Sequence, residues 1–143
     1  MENRKIVIDT NVFISAIIGQ YSYPYKIFSE LIATGEFLIY ISETLVEEYK
    51  GVSQREKFKK YLEFNEKSTS LMLSVEKLGI IVNPKRKINL IKDLPDNHLL
   101  EIAVEANAYC IVTGNTKDFD FNEFEGIKIF SPKEFYELAI EFR

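Results

Sequence analysis

An α/β domain built on a parallel sheet, with helices over both faces, is the fold class the sequence predicts. Two observations carry that expectation. Short apolar runs recur along the chain at residues 5–8, 37–41 and 109–113, and a continuous apolar run without alternation marks a strand buried on both faces. Segments with apolar residues at helical spacing lie between these runs, and strands that keep alternating with helices form parallel sheets. The 143 residues, 46% of them hydrophobic, suit one domain spanning 1–143 that buries its core without disulfide or metal staples.

Each element has a local reason. Lys5-Ile6-Val7-Ile8 is the first strand, and Thr10 or Asn11 caps a helix carrying Val12, Phe13, Ala16 and Ile17 up to Gly19. Pro24 opens a second helix with Ile27, Phe28, Leu31 and Ile32 on one face, and Gly35 ends it. Residues 37–41 form the next strand, and Ser42 caps a third helix that runs through Val52. Ser53 and Glu56 have capping-box spacing, which predicts a further helix bearing Phe58, Tyr61 and Leu62. More helix follows through Leu71, Val75 and Leu78 to Gly79, and Ile80-Ile81-Val82 is a strand ended by Pro84. After a polar connection, a helix starts at about Asp96 with Leu99, Leu100, Ala103 and Val104 inward. A fourth strand spans 109–113 and a fifth 127–130, before Ser131-Pro132 opens a closing helix with Phe135, Leu138 and Ala139 inward.

The whole-chain chemistry narrows the function classes. Cys110, the one cysteine, sits inside an apolar run, so it reads as a buried thiol in a reducing compartment rather than a nucleophile. The first strand begins almost at the N-terminus and no apolar run is long enough to span a bilayer, so the expectation is a cytoplasmic protein without a leader or membrane segment. A net charge of −4 argues against a generally basic nucleic-acid binder. The charge is unevenly spread, however. Lys50, Arg55, Lys57, Lys59 and Lys60 face only Glu56, while Lys85, Arg86, Lys87 and Lys92 have no acid between them. Carboxylates gathered in one pocket with phosphate contacts beside it fit that distribution.

Candidate chemistry lies where strands end, because open parallel sheets bind ligands at their carboxyl edge. Asp9 ends the first strand. On the third helix Glu48 lies three residues after Leu45 and four before Val52, on the apolar side, whereas Glu47 projects elsewhere. Asp96 precedes Leu99, Leu100 and Ala103 and starts the inward stripe of its helix. Asp93 reads as a loop residue before Pro95, Glu101 and Glu105 fall off the apolar stripe toward solvent, and His98 is a surface or structural residue. The polar loop from Thr113 to Asp120 offers Asn115 and Asp118 to the same edge. Converging carboxylates repel unless a cation lies between them. An oxygen-only set selects a hard ion, Mg²⁺ or Mn²⁺, and suits metal-assisted phosphodiester hydrolysis.

The pattern resembles the PIN-domain family over essentially the whole chain. The residues that carry the likeness are Ile6-Val7-Ile8-Asp9-Thr10-Asn11-Val12, Ser42 through Tyr49, Asp93-Leu94-Pro95-Asp96-Asn97, and Ile111 through Phe119. The resemblance is nearest to small prokaryotic PIN proteins described as toxins of toxin–antitoxin pairs. It implies a three-layer α/β/α sandwich with a mainly parallel sheet of about five strands, Mg²⁺- or Mn²⁺-dependent cleavage of RNA, a cognate antitoxin protein and a homodimer. It places the first three acids on Asp9, Glu48 and Asp96, and leaves the fourth between Asn115 and an Asp three residues on, Asp118. It also implies that Thr10 and Asn11 orient the first acid, with Thr113 at the end of the fourth strand. Lys57, Lys59, Lys60, Lys85, Arg86 and Lys87 are the candidate contacts to RNA phosphates.

Two other classes compete. A PIN-like module that binds RNA or a protein without cutting is motivated by Asn115 standing where an acid is common. A phosphoacceptor receiver domain needs an Asp after a central strand, and neither Ser42 nor Asn83 supplies it.

Overall fold

The structure is a computed structural model that describes residues 2–143. Its elements run β1 Lys5–Ile8, α1 Thr10–Ile18, α2 Tyr23–Lys26, β2 Leu38–Ile41, α3 Glu43–Ser53, α4 Phe64–Leu78 and β3 Ile80–Ile81. They continue with α5 Leu94–Ala106, β4 Cys110–Val112, β5 Glu123–Phe124, β6 Ile127–Phe130 and α6 Pro132–Glu141. The strands make one sheet in the order β3-β2-β1-β4-β6-β5. All pairings are parallel except β5 with β6.

Helices cover both faces, as the apolar runs require. Ile6, Val7 and Ile8 are each 0% exposed, and successive strand residues point to opposite faces, so neither face of β1 meets water. Helix α5 packs on β1, β2 and β4, while α4 lies against β2 and α6 against β6. No helix among the described residues is long and apolar enough to cross a membrane.

Several local expectations change. Asp9 itself caps α1, accepting the Thr10 amide at 2.7 Å, so the helix begins one residue earlier than a Thr10 cap allows and two earlier than an Asn11 cap allows. The second helix tightens only briefly into α2 and continues as a π-helical turn over Ile27–Ile32. Its apolar side chains at 27, 28, 31 and 32 serve either winding. The helix expected from Ser53 does not form. Ser53 is the last residue of α3, and its hydroxyl donates to the Lys50 carbonyl at 2.9 Å, which removes it as a cap. A single 3₁₀ turn over Glu56–Phe58 follows, with Tyr61 and Leu62 exposed. A sixth strand, β5, joins β6 through Glu125 and Gly126, both at positive φ, the backbone signature of a tight hairpin turn.

Tyr49 ties this architecture to the carboxyl edge. The residue is 0% exposed, its ring stacks on Phe13 with centroids 4.5 Å apart, and its hydroxyl donates to the Ile8 carbonyl. Helix α3 is thereby fixed against the last residue of β1, one position before Asp9. Tyr49→Phe leaves a buried carbonyl without that donor, a loss of about 1–3 kcal/mol. Urea unfolding should show a lower midpoint with an unchanged slope; a midpoint equal to the parent's contradicts the anchoring role.

Candidate metal centre at the carboxyl edge

The strand order changes direction between β1 and β4. From β1 the chain moves outward to β2 and β3, then returns to β4 on the other flank. The crevice at such a reversal is where open α/β sheets place ligands. Asp9 follows β1 and Thr113 follows β4, and the Asp9 amide donates to Val112 across the two strands at 2.9 Å.

Asp9 is held at both oxygens. The Thr10 amide donates to Oδ1 at 2.7 Å and the Thr113 hydroxyl to Oδ2 at 2.8 Å. The Thr10 hydroxyl donates not to Asp9 but to Glu48, joining the start of α1 to α3. Asn11 also turns elsewhere: its Oδ1 accepts the Gly114 amide at 3.0 Å and holds the loop after β4. A side chain at Gly114 would press on that amide, with a Cβ only 3.2 Å from Asn11 Oδ1. On α3, Glu48 is half-buried and Glu47 exposed. Asp96 is buried at 7% exposure in the first turn of α5.

The charges act on one another. Burial raises the Asp9 carboxyl above its ordinary value despite the Thr113 and Thr10 donors, with Glu48 and Asp93 adding to the rise. Burial, then the charges of Asp9, Asp93, Asp118 and Glu48, push Asp96 up from 3.8 to about 7. Five carboxylates therefore share one field: Asp9, Glu48, Asp93, Asp96 and Asp118. Asp118 lies exposed on the 3₁₀ turn Thr116–Asp118, whereas Asn115 is exposed and gives its amide to the Thr113 hydroxyl at 3.1 Å. Of the two alternatives for a fourth acid, Asp118 is the one whose charge reaches Asp96.

Asp93 is the member that sequence reasoning passed over. It occupies the cap position of α5, yet its carboxylate makes no capping hydrogen bond. Its spacing three residues before Asp96 was the available signal. Glu101 also departs from expectation. It is 6% exposed rather than solvated, because residues 82–93 fold over its side of α5. Its Oε2 accepts the Ile88 amide at 2.9 Å and its Oε1 meets His98 Nδ1 at 3.1 Å, while His98 Nε2 meets the Ser42 hydroxyl at 2.7 Å. Burial works to raise the Glu101 carboxyl, but the Ile88 amide, His98 and Lys87 outweigh it and hold it low. The Ser42–His98–Glu101 order imitates a nucleophilic triad. Ser42 is nonetheless 4% exposed and its oxygen already accepts the Leu45 amide as the cap of α3, so the three are a structural tie.

The residues present fit a hard divalent ion. The donors are all oxygen, and among the described residues none of the five carboxylates is paired with Lys or Arg. Buried charge left unpaired is costly, and a cation removes that cost. Among the described residues no three acidic, His or Cys side chains close into a ready-made cage. An ion held here would reach part of its ligands through water.

The raised carboxyls fix a pH dependence. In the metal-free protein, native Asp96 titrates at about 7 against an ordinary 3.8, so the native state holds the extra proton between those values. Stability from this group is complete below pH 3.8 and is lost as pH rises toward 7; Asp9 contributes with the same sign. Glu101, held low, has the opposite sign. Comparing the parent with Asp96→Asn isolates the effect. With chelator present, the variant should gain stability relative to the parent as pH rises from 4 to about 7. A difference independent of pH contradicts the coupling.

Comparison with known proteins matches this architecture. A family model described as PIN domain matches residues 5–117. The chain is 34% identical over 142 residues to an uncharacterized protein, MJ1680, of Methanocaldococcus jannaschii, covering 93% of this chain and 90% of that one. The solved structure described as VapBC2 from Rickettsia felis bound to a DNA fragment from their promoter shares the fold. Its TM-score is 0.59 at 20% identity, over 89% of this chain and 98% of that one. The family model spans most of the chain, from β1 to the loop after β4, and the chain belongs to the PIN-domain family.

Proposed function

We propose that this protein is a Mg²⁺- or Mn²⁺-dependent endoribonuclease and the toxin of a toxin–antitoxin pair, acting in the cytoplasm as a homodimer. The observation that carries the nuclease reading is the set of carboxylates at the β1/β4 reversal that, among the described residues, have no Lys or Arg partners. The resemblance to small prokaryotic PIN toxins, and a fold shared with VapBC2, support a cognate antitoxin as partner.

In this reading Asp9 and Asp96 hold the principal ion, directly or through water, and Glu48 and Asp118 complete the site. The chemistry such an ion supplies is acidification of a bound water and neutralisation of charge on the phosphate. The chain's own task is to keep the carboxylates in place. Thr113 and the Thr10 amide fix both oxygens of Asp9, and the Thr10 hydroxyl fixes Glu48. In the hydrolysis, the water oxygen bonds to phosphorus, the P–O bond to the departing sugar breaks, and that sugar oxygen takes up the water's proton.

Cleavage of a labelled single-stranded RNA with and without Mn²⁺ tests the proposal. Turnover should need the ion and should fall at least about 100-fold in Asp9→Asn, the scale of losing a group that stabilises transition-state charge. Glu48→Gln should suppress cleavage far more than Glu47→Gln, since only Glu48 receives the Thr10 hydroxyl. Equal damage from both glutamines removes Glu48 from the site. RNA retained without cleavage, with metal present, instead favours a PIN-like binding module.

A further inference from the structure

Residues 82–93, between β3 and α5, form neither helix nor strand, yet their backbone is pinned in place. Asn97 Oδ1 accepts the Leu90 and Ile91 amides at 3.0 and 2.8 Å, and its Nδ2 donates to the Ile91 carbonyl at 2.6 Å. One helical turn on, Glu101 accepts the Ile88 amide at 2.9 Å. Ile88 and Ile91 are buried beneath the segment. Between these clasps, His98 bridges Glu101 to Ser42, the cap of the helix that carries Glu48. An irregular segment normally stays mobile unless something fixes its backbone groups. Here two buried polar side chains of α5 do so.

The pinned segment walls a cleft of about 770 Å³ that Ser42, Glu43 and Glu48 also line from α3 and its cap, with Lys85 and Lys87, both exposed, on the facing segment. Of the five carboxylates Glu48 is the one that also lines this cleft. Its size lies within the roughly 300–1,000 Å³ of small-ligand sites, which suits a short stretch of a single strand. The basic stretch divides sharply here. Arg86 turns away and forms a two-pronged pair with Glu125, both contacts at 2.7 Å. Among the described residues Lys85 and Lys87 form no ion pair, and Lys87 is close enough for its charge to act on Glu101. The other stretch does not line this cleft: Lys59 pairs with Glu56, while Lys57 and Lys60 lie over the rings of Phe58 and Tyr61.

We infer that this cleft binds the single-stranded RNA flanking the scissile bond, with Lys85 and Lys87 on its phosphates and with Asn97 and Glu101 as positioning residues that hold the segment carrying those lysines. The inference rests on the ribonuclease reading and narrows it to a strand, a cleft and two cations.

The test is equilibrium binding of a labelled single-stranded RNA to the non-cleaving Asp9→Asn protein across a salt series. Adding Lys85→Gln with Lys87→Gln, both exposed positions, should flatten the slope of log K against log salt by about 1.4, at about 0.7 per phosphate contact on a single strand. The affinity lost between 50 and 200 mM salt then shrinks by about sevenfold. Replacing Lys57, Lys59 and Lys60 by Gln should leave the slope unchanged. In the cleaving protein, Glu101→Ala should raise KM several-fold with kcat nearly kept, and should speed hydrogen exchange at the Ile88 amide. Glu101→Gln, which keeps an acceptor, should restore both and guards against simple loss of folding. An unchanged slope in the double-lysine variant overturns the site. Unchanged KM despite faster Ile88 exchange overturns the positioning role. A parent protein that neither binds nor cuts RNA overturns the ribonuclease reading itself, and this site with it.

Discussion

Asp9 is held by the first amide of α1 on one side and a threonine hydroxyl on the other, and repelled by acids from α3 and the head of α5. Its Oδ1 takes the Thr10 amide and its Oδ2 the Thr113 hydroxyl, so β1 and β4 meet through one carboxylate at the point where the sheet changes direction. Glu48 arrives from α3, Asp93 and Asp96 from the head of α5, and Asp118 from the loop after β4. The repulsion among them is the cost of the arrangement, and much of the surrounding structure exists to bear it. Tyr49, buried and bonded to the Ile8 carbonyl, keeps α3 from backing away. The Thr10 hydroxyl keeps Glu48 turned toward the edge.

The same economy explains the segment between β3 and α5. The side of α5 next to its first turn is covered by residues 82–93, which form neither helix nor strand. The cover is an irregular stretch, and α5 supplies the hydrogen bonds that a sheet or helix would have supplied, through Asn97 and Glu101. Nearly the whole circumference of α5 is consequently buried, polar residues included. That is why its stripe of apolar residues was a poor guide to which of its acids met water.

Sequence patterns made some features legible and hid others for identifiable reasons. The phase of Glu48 against Leu45, Tyr49 and Val52 was readable because α3 has a single apolar side, with Leu45 and Tyr49 buried. Asp9 was readable because an apolar run stopped at it. Glu101 was hidden because its cover comes from residues 82–93, a tertiary contact that periodicity within α5 cannot register. The Ser53–Glu56 spacing misled because a capping box works only if its serine lies outside a preceding helix, and Ser53 closes α3. The division of labour between Thr10 and Asn11, one on Glu48 and the other on Gly114, depends on the separation of β1 from its neighbours and leaves no mark in local spacing.

The central claim is that the carboxylate field is built around a divalent ion. Thermal unfolding titrated with Mn²⁺ addresses it most directly, because an ion that binds the native state alone raises its stability with concentration. The parent's midpoint should climb steadily with Mn²⁺. The Asp9→Asn, Asp96→Asn double variant should start higher than the parent at pH 8, relieved of repulsion, and should then stay flat. An equal climb in the two proteins would place the ion elsewhere and contradict the account.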